Sequence, residues 1–217
     1  MRRLNQQAFT ITELVIAISV AAIMAVVLFT VTLDYYASAI RSHETAQMAL
    51  ESQSILAQMT EDLRLADGVS TTNQISDANR TTGWTTSDTN NILIVQSPAV
   101  NSSRDIIYDT TSGYPYRNEY VYFASGTKLY KRILKNTNAT SNIATTTCPT
   151  ASASCPLDRL FTANLQDLQF TFYDASNNVT TTASSARSVK LTIKLRKKVF
   201  GRTIDMSNST QITQRNY

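Results

Sequence analysis

A single acidic residue, Glu13, stands at the start of a long apolar run in this 217-residue chain. The twenty residues that follow it, 14–33, contain no charged residue, glycine or proline. A carboxylate held inside a bilayer costs roughly 2.5–3.5 kcal/mol, so it needs a partner of opposite charge. The spacing Thr10-x-x-Glu13 also fits a capping box, in which the acid accepts free backbone N–H groups at a helix start. The two interpretations are compatible, but only ion pairing explains a charge-free run directly behind the acid.

The apolar run predicts a helix that crosses a membrane once. Twenty residues at about 1.5 Å of rise each span roughly 30 Å, the thickness of the bilayer core. Arg2 and Arg3 precede the run, which predicts a cytoplasmic N-terminus and an extracytoplasmic chain from Asp34 onward. An ordinary secretory signal does not fit, because the run is too long and no small-residue cleavage site follows it.

The two cysteines, Cys148 and Cys155, are the next residues with chemistry of their own. In the predicted topology both lie outside the membrane, where oxidised pairs persist, and closing their eight-residue loop would stabilise the fold by about 2.5 kcal/mol. Two unpaired thiols are the alternative. Their spacing does not match a structural zinc site, and the chain has one histidine.

No set of residues has the types and spacing of a catalytic or cofactor site. The lone histidine, His43, falls on a predicted helix without a metal-ligating or catalytic partner. Only five glycines occur, and none forms a phosphate loop. The segment 174–178 offers oxygen ligands but lacks the glycine and terminal glutamate of a calcium loop, so it predicts a hairpin turn. We therefore expect neither an enzyme nor a bound cofactor or metal.

Six basic residues near the C-terminus form the one candidate surface for a polyanion. We expect them to gather on the solvent-exposed side of one β-hairpin: Lys190, Lys194, Arg196, Lys197, Lys198 and Arg202. Such clusters contact phosphates in nucleic acids. A solvated strand face with edge lysines that prevent aggregation is the alternative, and the net charge of only +4 favours it.

The elements that position these residues begin with a continued helix. Apolar and small residues recur three and four positions apart after the membrane run, which predicts one buried helix face: Ala49, Ser52, Leu56, Met59, Leu63 and Ala66. Asp67-Gly68 supplies a helix end. A helix from Phe9 to Ala66 would measure roughly 87 Å, and its second half can lie against a soluble domain.

The rest of the chain predicts a β-rich domain. Residues 69–91 are predicted to form a long polar loop, and we expect Trp84 to anchor this loop onto the core. Short strands are expected at 92–95 and 106–108, a hairpin around residues 125–127, and alternating strands at 168–173 and 189–195. Phe200-Gly201 marks a turn into a last strand, 203–212.

The sequence Ala8-Phe9-Thr10-Ile11-Thr12-Glu13 resembles the class III signal of type IV pilins and type II secretion pseudopilins. The resemblance implies that a prepilin peptidase cuts between Ala8 and Phe9 and methylates the new N-terminus. Ala8 stands where the family usually has glycine. Glu13 would then be the fifth residue of the mature chain and would pair with the free amine of a neighbouring subunit.

Three further segments, 58–66, 165–173 and 186–193, resemble minor J-type pseudopilins and PilW-like minor pilins. The likeness implies an α+β fold in which a membrane-spanning stalk helix packs on an antiparallel β-sheet head. The domains would be a cytoplasmic leader (1–8), a transmembrane and assembly helix (9–33), the outer half of the stalk (34–67) and the head (68–217).

The resemblance implies a structural subunit that starts or caps a filament, first in the cell membrane and then in an extracellular or periplasmic filament. Its partners would be other pilin or pseudopilin subunits, the prepilin peptidase and the inner-membrane assembly platform. We expect a low-copy subunit near the tip that binds other minor pilins through Leu56, Met59 and Leu63. A DNA-binding minor pilin of an uptake system that uses the basic hairpin, and a signal-anchored exported enzyme, are the alternatives.

Overall fold

The computed structural model describes residues 10–214. Within them, one long helix, α1 (Ile11–Arg64), precedes a series of antiparallel strands and a short 3₁₀ helix, Ala183–Ser185. The strands are β1 (Gly68–Ser70), β2 (Ile92–Pro98), β3 (Arg117–Ser125), β4 (Lys128–Leu134), β5 (Arg159–Thr162), β6 (Leu165–Tyr173), β7 (Val179–Thr180), β8 (Ser188–Val199) and β9 (Arg202–Thr213). The chain divides into two compact units between Ala46 and Gln47. The expected α+β class is confirmed.

The first unit, in its described part, consists of the N-terminal portion of α1. This portion is long and apolar enough to cross a membrane. Its large apolar side chains are exposed throughout, as they are in a helix whose surroundings are lipid or other helices.

The second unit contains the last turns of α1 and two antiparallel sheets. The sheets have the strand orders β1-β2-β3-β4-β5 and β7-β6-β8-β9. The main core joins one face of α1 with apolar side chains of both sheets, including Leu93 and Tyr122 of the first sheet and Leu168 and Leu191 of the second. The unit therefore begins at Gln47, inside the segment assigned to the stalk, because that helix face fills its core.

A second, smaller core lies on the opposite face of the five-stranded sheet. Trp84 is 3% exposed and packs there with Ile92, Ile94, Val121 and Leu134. The loop 71–91 thus covers this face, as the sequence predicted for Trp84. Both faces of the five-stranded sheet are buried, which explains the apolar run in β2.

Several boundaries differ from the sequence prediction. The helix ends at Arg64 rather than Ala66, since the N–H of Asp67 already bonds to the carbonyl of Gln96 and the chain enters β1. Residues 106–108 form isolated bridges instead of a strand, and one of these bridges pairs with Pro115, which has no N–H to continue a ladder. The head has two sheets where one was expected. The hairpins β3–β4 and β8–β9 and the turn at 174–178 are confirmed.

Candidate assembly site

The N-terminal end of α1 carries the predicted capping box. The carboxylate of Glu13 accepts the backbone N–H of Thr10 at 3.0 Å and the Thr10 hydroxyl at 2.8 Å. The N–H of Glu13 in turn donates to the Thr10 hydroxyl at 3.3 Å. Among residues 10–214, Glu13 has no ion-pair partner. The predicted processing residues Ala8 and Phe9 lie outside the described residues.

The helix surface behind Glu13 presents almost only hydrocarbon. Its hydroxyl groups bond within the helix: Ser19 donates to the carbonyl of Val15 at 2.8 Å, and Thr32 donates to that of Leu28 at 2.7 Å. These polar groups therefore need no water, while apolar side chains such as Phe29 are 65% exposed. Such a surface suits lipid or the apolar helices of other subunits.

The three residues expected to bind other subunits along the stalk are buried in the core of the second unit. Leu56 is 7% exposed, and Met59 and Leu63 are fully covered. They pack on the chain's own sheets, so the packing of the helix face is as expected. The prediction that these side chains bind other minor pilins is wrong, because they have no surface left to offer.

The apolar helix face is also tied to the sheets by polar contacts. The hydroxyl of Tyr122 in β3 donates to the carboxylate of Asp62, and Lys131 Nζ lies 2.5 Å from the same carboxylate. The amide of Asn208 in β9 donates to the Ser52 hydroxyl at 2.5 Å. Burial, and next the Asp62 carboxylate, raise the pKa of Tyr122 well above its usual value, so the phenol stays a donor.

The two cysteines form the predicted disulfide, with their Cα atoms 5.7 Å apart. Backbone bonds close the loop around it: the N–H of Cys148 donates to the carbonyl of Pro156, and the N–H of Asp158 donates to that of Cys148, both at 2.8 Å. The disulfide loop therefore fixes the position of Asp158.

Asp158 belongs to a buried ionic network that the sequence did not reveal. Arg132 of β4 is 4% exposed and donates through Nη2 to Asp158 at 2.5 Å and through Nη1 to Asp77 at 2.8 Å. The indole N–H of Trp84 donates to Asp77 at 2.8 Å, and the Thr147 hydroxyl donates to Asp158 at 2.8 Å. One arginine thus holds both the long loop and the disulfide loop on the sheet. The only sign of this network in the sequence was a charged residue, Arg132, in the second strand of the hairpin predicted around residues 125–127.

The basic residues of the C-terminal hairpin do not share one face. Strand alternation places Lys190, Lys194, Arg196 and Lys198 on the outer face, and Lys197 on the inner face with Leu195 and Val199. Arg202 lies opposite Val199 and is also on the inner side. The expectation of a single cluster is therefore wrong.

Two of the outer cations are also neutralised. Lys194 pairs with Asp167 at 3.2 Å, and Arg196 pairs with Asp205 at 2.6 Å. Because the outer face keeps only Lys190 and Lys198 without an ion pair among residues 10–214, its attraction for a polyanion is small.

No group of three or more His, Cys, Asp or Glu that could hold a metal ion occurs between residues 10 and 214. A largely apolar groove of about 800 Å³ lies past the end of α1 and is lined by Leu65, Tyr120, Ile133 and Ile143, with Arg104 as the one charged residue in its lining. The chain matches no protein-family model and no curated protein.

Proposed function

We propose that this chain is a minor pilin or pseudopilin, a structural subunit of a type IV pilus-like or type II secretion filament. The observation that carries the proposal is Glu13 at the start of α1, directly followed by an exposed, charge-free helix surface. In the proposed filament the subunit leaves the bilayer and enters a bundle of similar helices. There the terminal amine of a neighbouring subunit would neutralise the carboxylate of Glu13.

The proposal includes the lollipop arrangement, with a cytoplasmic N-terminus and the second unit outside the membrane. A disulfide in the second unit supports an extracytoplasmic location, since disulfides persist in oxidising compartments. The chemistry of the described surfaces supports a structural role, and a DNA-binding role is weaker because the basic residues are divided between two faces.

Within the filament we place the subunit near the tip, in low copy number. The loops 71–91 and 135–158 are held by the Arg132 network and enlarge one side of the five-stranded sheet. Long loops are tolerated best where few neighbours crowd them. The fraction of this subunit in sheared filaments tests the placement, which is wrong if the chain is the most abundant subunit.

Mass spectrometry of the chain from native membranes tests the proposal itself. Processing of the pilin kind predicts an N-terminus at Phe9 that carries a methyl group. An uncut bond between Ala8 and Phe9 would instead support a signal-anchored exported protein.

A further inference from the structure

The four edges of the two sheets differ in how well they are protected. In the five-stranded sheet the edge strands are short: β1 has 3 residues and β5 has 4. In the four-stranded sheet, β7 has only 2 residues, whereas β9 at the other edge has 12. An unpaired strand edge is a template for another chain, and proteins normally shorten or cover it.

The edge on the β7 side is covered by side chains. Beyond the short β7, the N–H of Leu168 donates to Asn91 Oδ1 at 2.6 Å, and the N–H of Phe170 donates to Asp88 Oδ1 at 3.0 Å. These two side chains take the place of a neighbouring strand along β6. The fold therefore closes this edge even where no strand is available.

The edge of β9 has none of these protections. All twelve residues pair with β8 in one unbroken register, without a bulge. The strand contains no proline and no lysine, and its one acidic residue, Asp205, is engaged by Arg196. Among residues 10–214, β9 pairs with no strand other than β8.

The turn of the hairpin shows which backbone groups are available. Phe200 and Gly201 have φ values of 47° and 74° and connect Val199 directly to Arg202. In such a two-residue hairpin the closing pair exchanges hydrogen bonds, and bonded and non-bonded pairs then alternate. The even-numbered residues of β9 thus bond to β8. The odd-numbered residues direct their N–H and C=O groups away from the sheet: Thr203, Asp205, Ser207, Ser209, Gln211 and Thr213.

The side chains around this edge indicate the chemistry of a partner. Ile204 and Met206 pack on the core but stay partly exposed, so an added strand with apolar residues on its inner side would cover them. On the outer side, Lys190 and Lys198 lie opposite Gln211 and Thr203. A strand added beyond β9 would lie about 10 Å from β8, within the combined reach of a lysine and a glutamate.

We propose that β9 is a docking edge that takes up an extended segment of another protein as an added strand, with apolar residues on one side and acidic residues on the other. The added backbone would bond to the odd-numbered residues, and the alternating side chains would provide specificity. The proposal does not depend on the filament role.

Hydrogen exchange at single-residue resolution tests the docking edge on the full chain in detergent. The probe is a synthetic twelve-residue peptide that alternates valine with glutamate, and the control peptide has lysine in place of glutamate. At a peptide concentration ten times its Kd, exchange of the amides of Asp205, Ser207, Ser209 and Gln211 should slow about tenfold. The amides of the even-numbered residues, already bonded to β8, should not change.

Variants separate docking from folding. Ser207→Pro with Ser209→Pro removes two outward N–H groups without touching the ladder to β8, a position in which edge strands tolerate proline. We expect this variant to bind the glutamate peptide at least about tenfold more weakly than Ser207→Ala with Ser209→Ala. Equal binding by the two variants, or no selective protection of odd-numbered amides, would overturn the proposal. Protection of the same amides without peptide, together with dimers in sedimentation, would identify a second copy as the occupant and would equally overturn it.

Discussion

Arg132 and Asp158 form an ion pair inside the protein, with the arginine 4% and the aspartate 4% exposed. The pair joins β4 of the five-stranded sheet to the disulfide loop, and Asp77 extends the network to the loop that carries Trp84. Burying three charges is costly, and it is sustained here because each charge is hydrogen-bonded to the others or to a neutral donor. The network therefore fixes the positions of both loops beside the smaller core that Trp84 forms on the same face of the sheet.

Replacing Arg132 by Met should destabilise the second unit strongly. Two buried carboxylates would lose their partner, which typically costs about 3–5 kcal/mol. Denaturant unfolding of the full chain in detergent measures the effect. Arg159→Met, at an exposed arginine of the neighbouring strand, serves as control and should change stability by about 0.5 kcal/mol or less. Adding Asp77→Asn and Asp158→Asn to Arg132→Met should recover part of the loss, and no recovery would contradict the charge argument.

The disulfide and the ionic network should be energetically coupled. Cys148→Ser with Cys155→Ser should cost about 2.5 kcal/mol by loop entropy alone. Because Asp158 is positioned by a backbone bond to Cys148, the cysteine changes should also weaken the pair with Arg132. A double-mutant cycle with Arg132→Met should therefore show a coupling above about 0.5 kcal/mol. If the two losses of stability simply add, the loop holds Asp158 in place even without the disulfide bond, which would contradict the coupling.

Glu119 should make the second unit more stable at mildly acidic pH. Burial raises its pKa, although the N–H groups of Gln74 and Ile75 bond to its carboxylate and act in the opposite direction. Because the pKa of Glu119 is raised in the folded state, its contribution to the free energy of unfolding is fully present below the unfolded pKa near 4.5. This contribution is lost as the pH rises through the folded pKa. The free energy of unfolding of the wild type minus that of Glu119→Gln should thus increase as pH falls from 7 to about 4.5. A flat difference would contradict the assignment.

The pKa of Asp77 is shifted in the opposite direction to that of Glu119, which gives the pH experiment on Glu119 an internal comparison. Burial acts to raise its pKa, but hydrogen bonds from Arg132, Trp84 and the backbone of Asn79 outweigh it and the pKa is lowered. Its contribution is present above the unfolded value of about 3.8 and is lost as pH falls through the folded pKa. The two carboxyls therefore act in separate pH windows.

The basic hairpin should bind duplex DNA weakly. Only Lys190 and Lys198 remain on its outer face without an ion pair among the described residues, so few counterions would be released on binding. The slope of log K against log salt should be no steeper than about −2. A mobility-shift titration of the full chain from low to physiological salt measures it, with Lys190→Glu plus Lys198→Glu as comparison. A steep slope that this variant abolishes would revive the DNA-binding alternative.

Local patterns predicted much of the fold. Alternation in β6 and β8 and the spacing of Leu56, Met59 and Leu63 are consequences of periods of 2 and 3.6, which the sequence displays directly. The disulfide was predicted from the presence of two cysteines and from the expectation that both lie outside the membrane. The helix and the strands depend on residues that are near one another in the chain, and the disulfide was the only pairing possible for two cysteines.

Long-range features could not be predicted in the same way. The network of Arg132 joins residues 55 and 26 positions away in the chain, and nothing local marks which arginine of a strand is buried. The cover of β6 by Asp88 and Asn91 spans about 80 positions and depends on how two sheets meet. The basic residues are divided between two faces because successive residues of a strand point to opposite faces of the sheet. The sequence prediction treated the six cations as one cluster and did not apply this alternation to them.

Filament entry of a Glu13→Ala variant tests the central claim most directly. The measurement is the amount of the chain in the membrane fraction and in sheared filaments of the native cell, with Glu61→Ala, at an exposed acid of the same helix, as control. Loss of the Glu13 carboxylate removes the charge that a neighbouring amine would pair with, and leaves the apolar run intact. We expect Glu13→Ala to reach the membrane in normal amounts and to be missing from filaments, while Glu61→Ala enters them. Incorporation of Glu13→Ala at the wild-type level would contradict the assembly role.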